Sequence, residues 1–301
     1  MVSRRRVAAD TRWAVVIVNY NAGDHLAGCV RSVVADTSAG VADIVVVDNG
    51  STDGSLAALA HEPGVRVVES GGNVGLARAV NLGVATTSAP IVAVLNPDTV
   101  LRPGTAGALV GRLERDAGVG VVGPRIENPD GTTYPSARTE PPLAIAVGHA
   151  LLGVVWPRNP CSRRYRALDV DPGAPRTVDW LSGAAMWFRR DALDRVGGWD
   201  ERFFMFMEDV DVCRRVRDAG LSVEYDPAGT LVHAEGVSRA HHPYRMIVAH
   251  HRSVWRYAEH RWRGPRRLLL PLAGLALLAR AGASMLAYRF GGRRRPPEIG
   301  G

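Results

Sequence analysis

The feature that most constrains this chain is a recurrence: from Trp13 to Gly123, short runs rich in β-branched residues alternate with stretches of helical apolar spacing. The runs Ala14–Val18, Ile44–Val47, Val65–Val68, Ile91–Leu95 and Val119–Val122 lack the in-and-out alternation of a strand with one wet face. They predict parallel strands buried on both sides. Between them, Leu26, Cys29, Val30, Val33 and Val34 recur at helical spacing, as do Leu56, Leu59 and Ala60, then Leu76, Val80 and Val84. Such βα alternation predicts an α/β fold: a mostly parallel, Rossmann-like sheet with helices on both faces and a ligand crevice at the carboxyl ends of its strands. With 46% hydrophobic residues in 301, the chain can fill a core, which excludes disorder as a global description.

The later chain is less regular. Glu127 to Thr177 is rich in Pro, Gly and Arg and predicts a long excursion of loops, with order resuming over Val178 to Arg189. Glu208 to Ala219 predicts a helix closed by Gly220, followed by two short strands, Ser222–Tyr225 and Thr230–His233. His242 to Trp262 predicts another helix. Leu268 to Tyr288 is strongly apolar but interrupted by Pro271 and Arg280. A spanning helix needs about 20 predominantly apolar residues, and a mid-span arginine costs about 3 kcal/mol on insertion scales. The segment is therefore expected to lie in a membrane interface, where Arg261, Arg263, Arg266 and Arg267 before it and Arg289, Arg293, Arg294 and Arg295 after it would attract anionic headgroups. A helix packed on the domain, with a solvated basic tail, is the alternative.

The net charge of +7 comes from arginine alone, since the sequence has no lysine. A basic balance suits nucleic acid, an anionic membrane or a phosphorylated ligand. No helix-turn-helix, zinc-finger or RNP-type signature accompanies the charge, so no nucleic-acid partner is expected. Cys29, Cys161 and Cys213 are odd in number and far apart, which argues against a disulfide framework or zinc cluster and fits a reducing cytoplasm. The apolar run behind Arg4, Arg5 and Arg6 is too short for a secretory segment, so Met1–Trp13 is read as a mature N-terminus.

Acidic and small polar residues fall directly after the predicted strands. Asp48 ends the second strand, where a carboxylate can accept a hydrogen bond from a base or ribose; Ser51, Thr52 and Asp53 then suit a helix cap, and for Asp53 capping and ligand contact stay open. Gly71-Gly72-Asn73-Val74-Gly75 opens a helix, so its amides could approach a phosphate or tuck against the sheet. Asp98, after Asn96-Pro97, is either part of a plain turn or an oxygen ligand for Mg²⁺ or Mn²⁺ shared with a diphosphate. His233, at the end of a later strand and one of nine histidines, is a second candidate ligand or a structural residue. Glu208, Asp209 and Asp211 gather at a helix start. The dipole and an Asp211–Arg215 pair explain some of them, but an aromatic-flanked carboxylate there is also a good general base.

Taken in order, these segments resemble the family-2 inverting glycosyltransferases of the GT-A fold, and within them the bacterial rhamnosyltransferase-like branch. The matching pieces are Ile17-Val18-Asn19-Tyr20-Asn21, Val47 to Asp53, Gly72 to Ala77 with Asn81, Leu95-Asn96-Pro97-Asp98, Leu181 to Ala185, Gly198 to Phe204, Glu208 to Asp211, and His233. The resemblance implies a glycosyltransferase domain over 12–240, with a nucleotide-binding half at 12–125 and an acceptor half at 126–240, and a C-terminal helical, membrane-associated extension over 241–296. It also implies roles. Asp48 would bind the nucleobase and Arg78 the base or diphosphate, with Asn19, Asn21, Asn49 and Asn96 also on the donor side. Asp98 and His233 would hold Mg²⁺ or Mn²⁺. Asp209 would be the general base beside Glu208, Arg214 would steady the leaving diphosphate, and Trp180 and Gly183 would face the acceptor. Many relatives carry aspartate where Asn96 stands.

The implied reaction is one in-line displacement at an anomeric carbon, with a nucleotide-diphosphate sugar (dTDP-rhamnose first) as donor and a glycan or polyprenyl-diphosphate-linked acceptor. It would be carried out in the cytoplasm at the inner face of the membrane. Another hexose transferase, or a non-catalytic nucleotide-sugar-binding protein, are the alternatives; the latter should have lost the acidic set that Asp48, Asp98 and Asp209 retain. A nicotinamide-dependent oxidoreductase would need a glycine-rich turn where Asn19-Tyr20-Asn21 stands.

Overall fold

The computed structural model describes residues 11–60, 62, 64–140, 145, 156, 159–165, 170–234 and 243–290. Its strands are β1 (Trp13–Asn19), β2 (Asp43–Asp48), β3 (Val65–Glu69), β4 (Ile91–Leu95), β5 (Thr99–Leu101), β6 (Val119–Glu127), β7 (Thr133–Tyr134), β8 (Ala137–Arg138), β9 (Arg176–Thr177), β10 (Trp180–Leu181), β11 (Ala185–Arg189) and β12 (Ser222–His233). The α-helices are α1 (His25–Ala35), α2 (Leu76–Val84), α3 (Thr105–Arg115), α4 (Pro160–Tyr165), α5 (Arg190–Val196), α6 (Glu208–Asp218), α7 (Pro243–Arg261) and α8 (Leu270–Phe290). The expected helix around Leu56 is instead a 3₁₀ segment, Ser55–Leu59.

The main sheet runs β3-β2-β1-β4-β11-β6-β12-β5, and β1 to β4 are mutually parallel, as the apolar runs require. It is nonetheless mixed, because β11 lies antiparallel between β4 and β6, and β5 antiparallel to β12. Period-two geometry sorts the buried residues onto two faces. Trp13, Val15 and Ile17 pack with α1 and α3, whereas Val16 and Val18 pack with α2 and with Val212, Cys213 and Val216 of α6. β3, at the sheet edge, is only half-buried, unlike the interior strands. The two expected strands after α6 are one strand, β12, whose register against β6 jumps between Asp226 and Thr230. Pro227 cannot donate to the ladder, so the segment around it bulges while pairing resumes beyond it.

One consequence of this topology positions the site. Three strands separate β4 from β5 in the ladder, yet only Asn96, Pro97 and Asp98 connect them. In a flat sheet four strand spacings would cover about 19 Å, more than the ~14 Å that the link from Leu95 to Thr99 reaches when fully extended. The sheet must therefore curl, and the curl carries the end of β12 to the end of β4.

At the C-terminus, α7 and α8 form an antiparallel pair: Tyr244 meets Tyr288 with ring centroids 5.4 Å apart, and Gly274 lies under Trp255. Gly264–Arg289 is long and apolar enough to cross a membrane, and Leu268, Leu272, Leu275, Leu278 and Leu286 are exposed on it. Pro271 sits in the first turn of α8, where its missing N–H leaves no helical bond unmade. The basic residues Arg4, Arg5, Arg6, Arg293, Arg294 and Arg295 lie outside the described residues, as does most of the expected excursion between Glu140 and Val170.

Candidate active site

The carboxyl ends of β1, β2 and β4 open into a cavity of about 590 Å³, lined among others by Tyr20, Asn49, Asn96, Asp98, Gly183, Glu208, Asp209 and His233. That volume falls within the range of about 300–1,000 Å³ usual for small-molecule sites.

On the β1–β2 side, Asn19 is fully buried and its side-chain amide donates to Asp48 Oδ1 (3.2 Å), Ser51 Oγ (3.0 Å) and Ser55 Oγ (2.8 Å). Asn21 adopts φ +51° and accepts from the Thr52 amide at 2.8 Å. Asp53 accepts from the Gly23 and Ser55 amides, which uses both its oxygens in loop closure. Asp48 is nearly buried in this network, also facing the Ser51 amide, and it is the neighbouring Asn49 that lines the cavity.

Asn49 Oδ1 accepts from the Val74 amide (2.9 Å), and its Nδ2 donates to Asn73 Oδ1 (3.2 Å). The Gly75 amide donates to Asn73 Oδ1 and the Leu76 amide to Phe204 O (2.8 Å). The Gly75 and Leu76 amides are thus engaged within the protein, and Gly75, with φ +89°, is the residue that lets Phe204 approach: a Cβ there would sit 2.7 Å from the Phe204 carbonyl oxygen. Of the two sequence readings of this glycine loop, the engaged Val74, Gly75 and Leu76 amides suit tucking.

On the β4 side, Asp98 Oδ1 lies 3.1 Å from His233 Nε2, and Asn96 Nδ2 lies 3.4 Å from the same nitrogen. The register His233↔Thr99 between β12 and β5 places them together. Among the described residues no group of three or more His, Cys, Asp or Glu side chains stands ready for a metal. What the site has is a carboxylate–imidazole pair with a neutral amide as third neighbour. His233 Nδ1 is buried and has no hydrogen-bond partner among the described residues. One oxygen and one nitrogen donor, with diphosphate oxygens and water completing the shell, suit Mg²⁺ or Mn²⁺, so the residues present fit such an ion.

Opposite, Asp209 Oδ2 accepts from the Gly183 amide (2.9 Å) and Oδ1 from the Val210 amide (2.8 Å). Phe206 and Met207, immediately before α6, both hold left-handed backbone (φ +69° and +68°). This is strain of about 1–3 kcal/mol per residue, of the kind found at functional sites. Phe206 meets His250 of α7 edge-on at 5.4 Å, and Ser253 donates to the Met205 carbonyl, so α7 braces the turn that presents the acids. Burial, then the Asp209 charge, pushes the Glu208 carboxyl well above its ordinary range; burial likewise raises Asp209, partly offset by the Gly183 and Val210 amides.

Glu208 Oε2 has no hydrogen-bond partner among the described residues. A carboxyl whose pKa is raised by folding contributes stability below its unfolded pKa, and loses that contribution as pH rises through the folded value. Glu208→Gln is therefore expected to be more stable than the parent at pH 8 by about 1–3 kcal/mol, the gap narrowing towards pH 4. Thermal melts across that pH range check it; a variant equally or less stable at pH 8 would remove the assignment of a strained buried carboxyl.

Besides Asn19, Asn21 and Asp48, which do not line the cavity, three more residues expected at the site stand elsewhere. Arg214 is five positions beyond Asp209, about 140° round the helix, and is engaged by Glu140 (3.3 Å) and Asp218 (3.3 Å) outside the cavity. Trp180 is buried beneath the Arg138 guanidinium, 4.8 Å from its ring centroid, and does not line the cavity. Arg78 is exposed at the start of α2 and pairs at 3.9 Å with Glu201. Conversely, Arg245, Met246 and Ala249 of α7 form part of the wall. Their sequence signal is the helix expected over His242 to Trp262, which by itself does not point to the cavity. Arg138, whose charge lowers Asp209 against the effect of burial, had no signal at all in the irregular stretch that contains it.

The profile described as Glycosyl transferase family 2 matches residues 14–197. An N-acetylglucosaminyl-diphospho-decaprenol L-rhamnosyltransferase of Mycobacterium tuberculosis is 39% identical over 272 residues, covering 85% of this chain and 88% of that protein. The rhamnosyltransferase WbbL of Escherichia coli is 31% identical over 127 residues, 40% of this chain and 43% of that one. Among solved structures, the Pyrobaculum calidifontis mannosyltransferase PcManGT, in complex with GDP-Man and Mn²⁺, superposes with a TM-score of 0.59 at 19% identity over 95% of this chain and 80% of its own. GalNAc-T7 with UDP, GalNAc and Mn²⁺ gives 0.57 at 16% identity over 80% of this chain and about half (51%) of its own. The fold is that of the GT-A glycosyltransferases, and with the family profile spanning well over half its length this chain is an enzyme belonging to glycosyl transferase family 2.

Proposed function

We propose that this enzyme transfers L-rhamnose, with inversion, from dTDP-rhamnose to a hydroxyl of a polyprenyl-diphosphate-linked N-acetylglucosamine in cell-wall assembly. The observation that carries the reading is the convergence of Asp209 with the Asp98–His233 pair on one cavity, combined with the extent of the likeness to the mycobacterial rhamnosyltransferase.

In this reading the nucleotide enters over Tyr20 and Asn49. Asn19, Asn21 and Asp48 hold the β1–β2 rim in shape, and Asp48 offers its carboxylate to the base. Arg78 can turn to the donor, because an exposed ion pair such as that with Glu201 is worth only about 0–1 kcal/mol. Asp98 and His233 would hold a divalent cation, which when bound neutralises charge on the departing diphosphate. Asp209 receives the proton of the acceptor hydroxyl as that oxygen attacks the anomeric carbon from the opposite face. The Gly183 and Val210 amides fix the rotamer of Asp209 for this role, and the wall from Phe204 to Phe206 limits water. Peripheral attachment through α7, α8 and their arginines, at the cytoplasmic face of the membrane, suits a lipid-linked acceptor.

The test is a donor panel. Purified full-length protein is given dTDP-rhamnose, UDP-glucose, UDP-galactose or GDP-mannose, a polyprenyl-diphospho-N-acetylglucosamine, and either Mn²⁺ or EDTA. Metal-stimulated transfer of rhamnose alone, with inverted anomeric configuration by NMR, is expected; preference for another sugar overturns the rhamnose assignment.

A further inference from the structure

A second cavity, of about 490 Å³, opens beside the first and shares Phe204, Arg245 and Ala249 with it. One wall is α7. Arg245, Ala249, Arg252 and Arg256 stand at i, i+4, i+7 and i+11, which is a single stripe of an α-helix. Three guanidinium groups therefore line one face over about 16 Å, and the small Ala249 between them leaves room for a ligand.

Arg245 and Arg252 are exposed and form no ion pair among the described residues, while Arg256 donates to the Arg202 carbonyl. Among the described residues, no acidic side chain lines this cavity. Beside the stripe, Tyr244, Val248 and Phe204 are 45%, 50% and 45% exposed. Unpaired cations and exposed apolar side chains thus share one groove. At its Tyr244 end the groove meets Tyr288 of α8, whose leucines face outward.

We propose that this groove seats the diphosphate of a polyprenyl diphosphate sugar, with the prenyl chain leaving over Tyr244 and Val248 towards the apolar surface of α8. The inference rests on the acceptor reading above and goes further by giving the acceptor's lipid diphosphate its own subsite. Charge complementarity supports it, since planar guanidinium forks match phosphate oxygens. So does continuity: Arg245 belongs to both cavities, so a sugar joined to a diphosphate in the groove points its hydroxyls towards Asp209. A membrane headgroup could use the charges, but it would not need a groove that opens into the catalytic cavity.

Equilibrium binding by calorimetry tests this on the full chain, with saturating dTDP occupying the donor side. The probes are farnesyl diphosphate, farnesol, inorganic diphosphate, and vesicles of phosphatidylglycerol with phosphatidylcholine. The proteins are the parent, Arg252→Gln and the double variant Arg245→Gln/Arg252→Gln, with circular dichroism confirming that each folds. Farnesyl diphosphate should bind the parent at least tenfold more tightly than farnesol or inorganic diphosphate. Its affinity should fall about tenfold in Arg252→Gln and about a hundredfold in the double variant, the loss expected for charge-assisted hydrogen bonds, while vesicle binding changes less than twofold. Unchanged farnesyl diphosphate affinity overturns the proposal, and so does an equal loss of vesicle binding, which would make the stripe a membrane-surface patch. Arginine-dependent binding by a protein that transfers no rhamnose would sink the functional reading and leave the groove standing; dTDP binding without farnesyl diphosphate binding would do the reverse.

Discussion

Replacing Asp209 with asparagine is expected to lower kcat on the order of a thousandfold, the middle of the range for a positioned general base, while donor affinity stays within twofold. The substitution is nearly isosteric, and its remaining oxygen can still accept from the Gly183 amide at the position Oδ2 now occupies. What it removes is the ability to take a proton. Because burial raises the Glu208–Asp209 pair above the ordinary carboxylate range, the parent's kcat should climb with pH through a value above that range, and the residual activity of Asp209→Asn should lose that limb. Glu208→Gln separates the two acids: if it abolishes turnover and Asp209→Asn does not, the base is Glu208. Single-turnover kinetics with donor affinity by calorimetry decide the matter, and near-parental turnover in Asp209→Asn would falsify the assignment.

Asp98→Ala should have the next largest effect, a loss of activity of about a hundredfold or more. That corresponds to the ~3 kcal/mol or more by which preorganised charge stabilises a departing group in a dry site. His233→Ala should lose less, since it removes a neutral donor rather than a charge. Asn96→Asp runs the other way. It adds a carboxylate 3.4 Å from the nitrogen that already meets Asp98, and should tighten Mn²⁺ binding about tenfold, the gain expected from one more charged ligand on a hard cation. Manganese titrations followed by paramagnetic relaxation, with activity in parallel, check all three. Activity in Asp98→Ala that is normal and indifferent to EDTA would remove the metal from this site.

The order of elements over the first half was legible because the interior strands there are buried on both faces, so their residues are mostly apolar whatever they touch. The antiparallel insertion of β11 was not, since Ala185–Arg189 reads the same in either direction. At the site, Asp98 could be picked out because it follows a strand with a proline beside it, and Asp209 because it opens a helix with an aromatic nearby. Asp48 was placed at the right rim but not in the wall, because its hydrogen bonds to Asn19 and Ser51 depend on a loop whose course the residue types do not state. The resemblance implies a diphosphate-binding role for Arg214, but helical geometry turns it away from the face of α6 that carries Asp209.

By itself, the amino-acid sequence determined the βα alternation, the acids at strand and helix ends, and the family, all of which are local patterns of hydrophobicity and residue type. The tertiary structure alone decided that the sheet curls between β4 and β5, bringing Asp98 to His233, 135 positions further along the chain. It also decided that α7 swings back to wall the cavity with Arg245. The physical reason is that long-range pairing follows from strand register and helix docking, which sum weak preferences over many residues, so no short stretch of chain carries them.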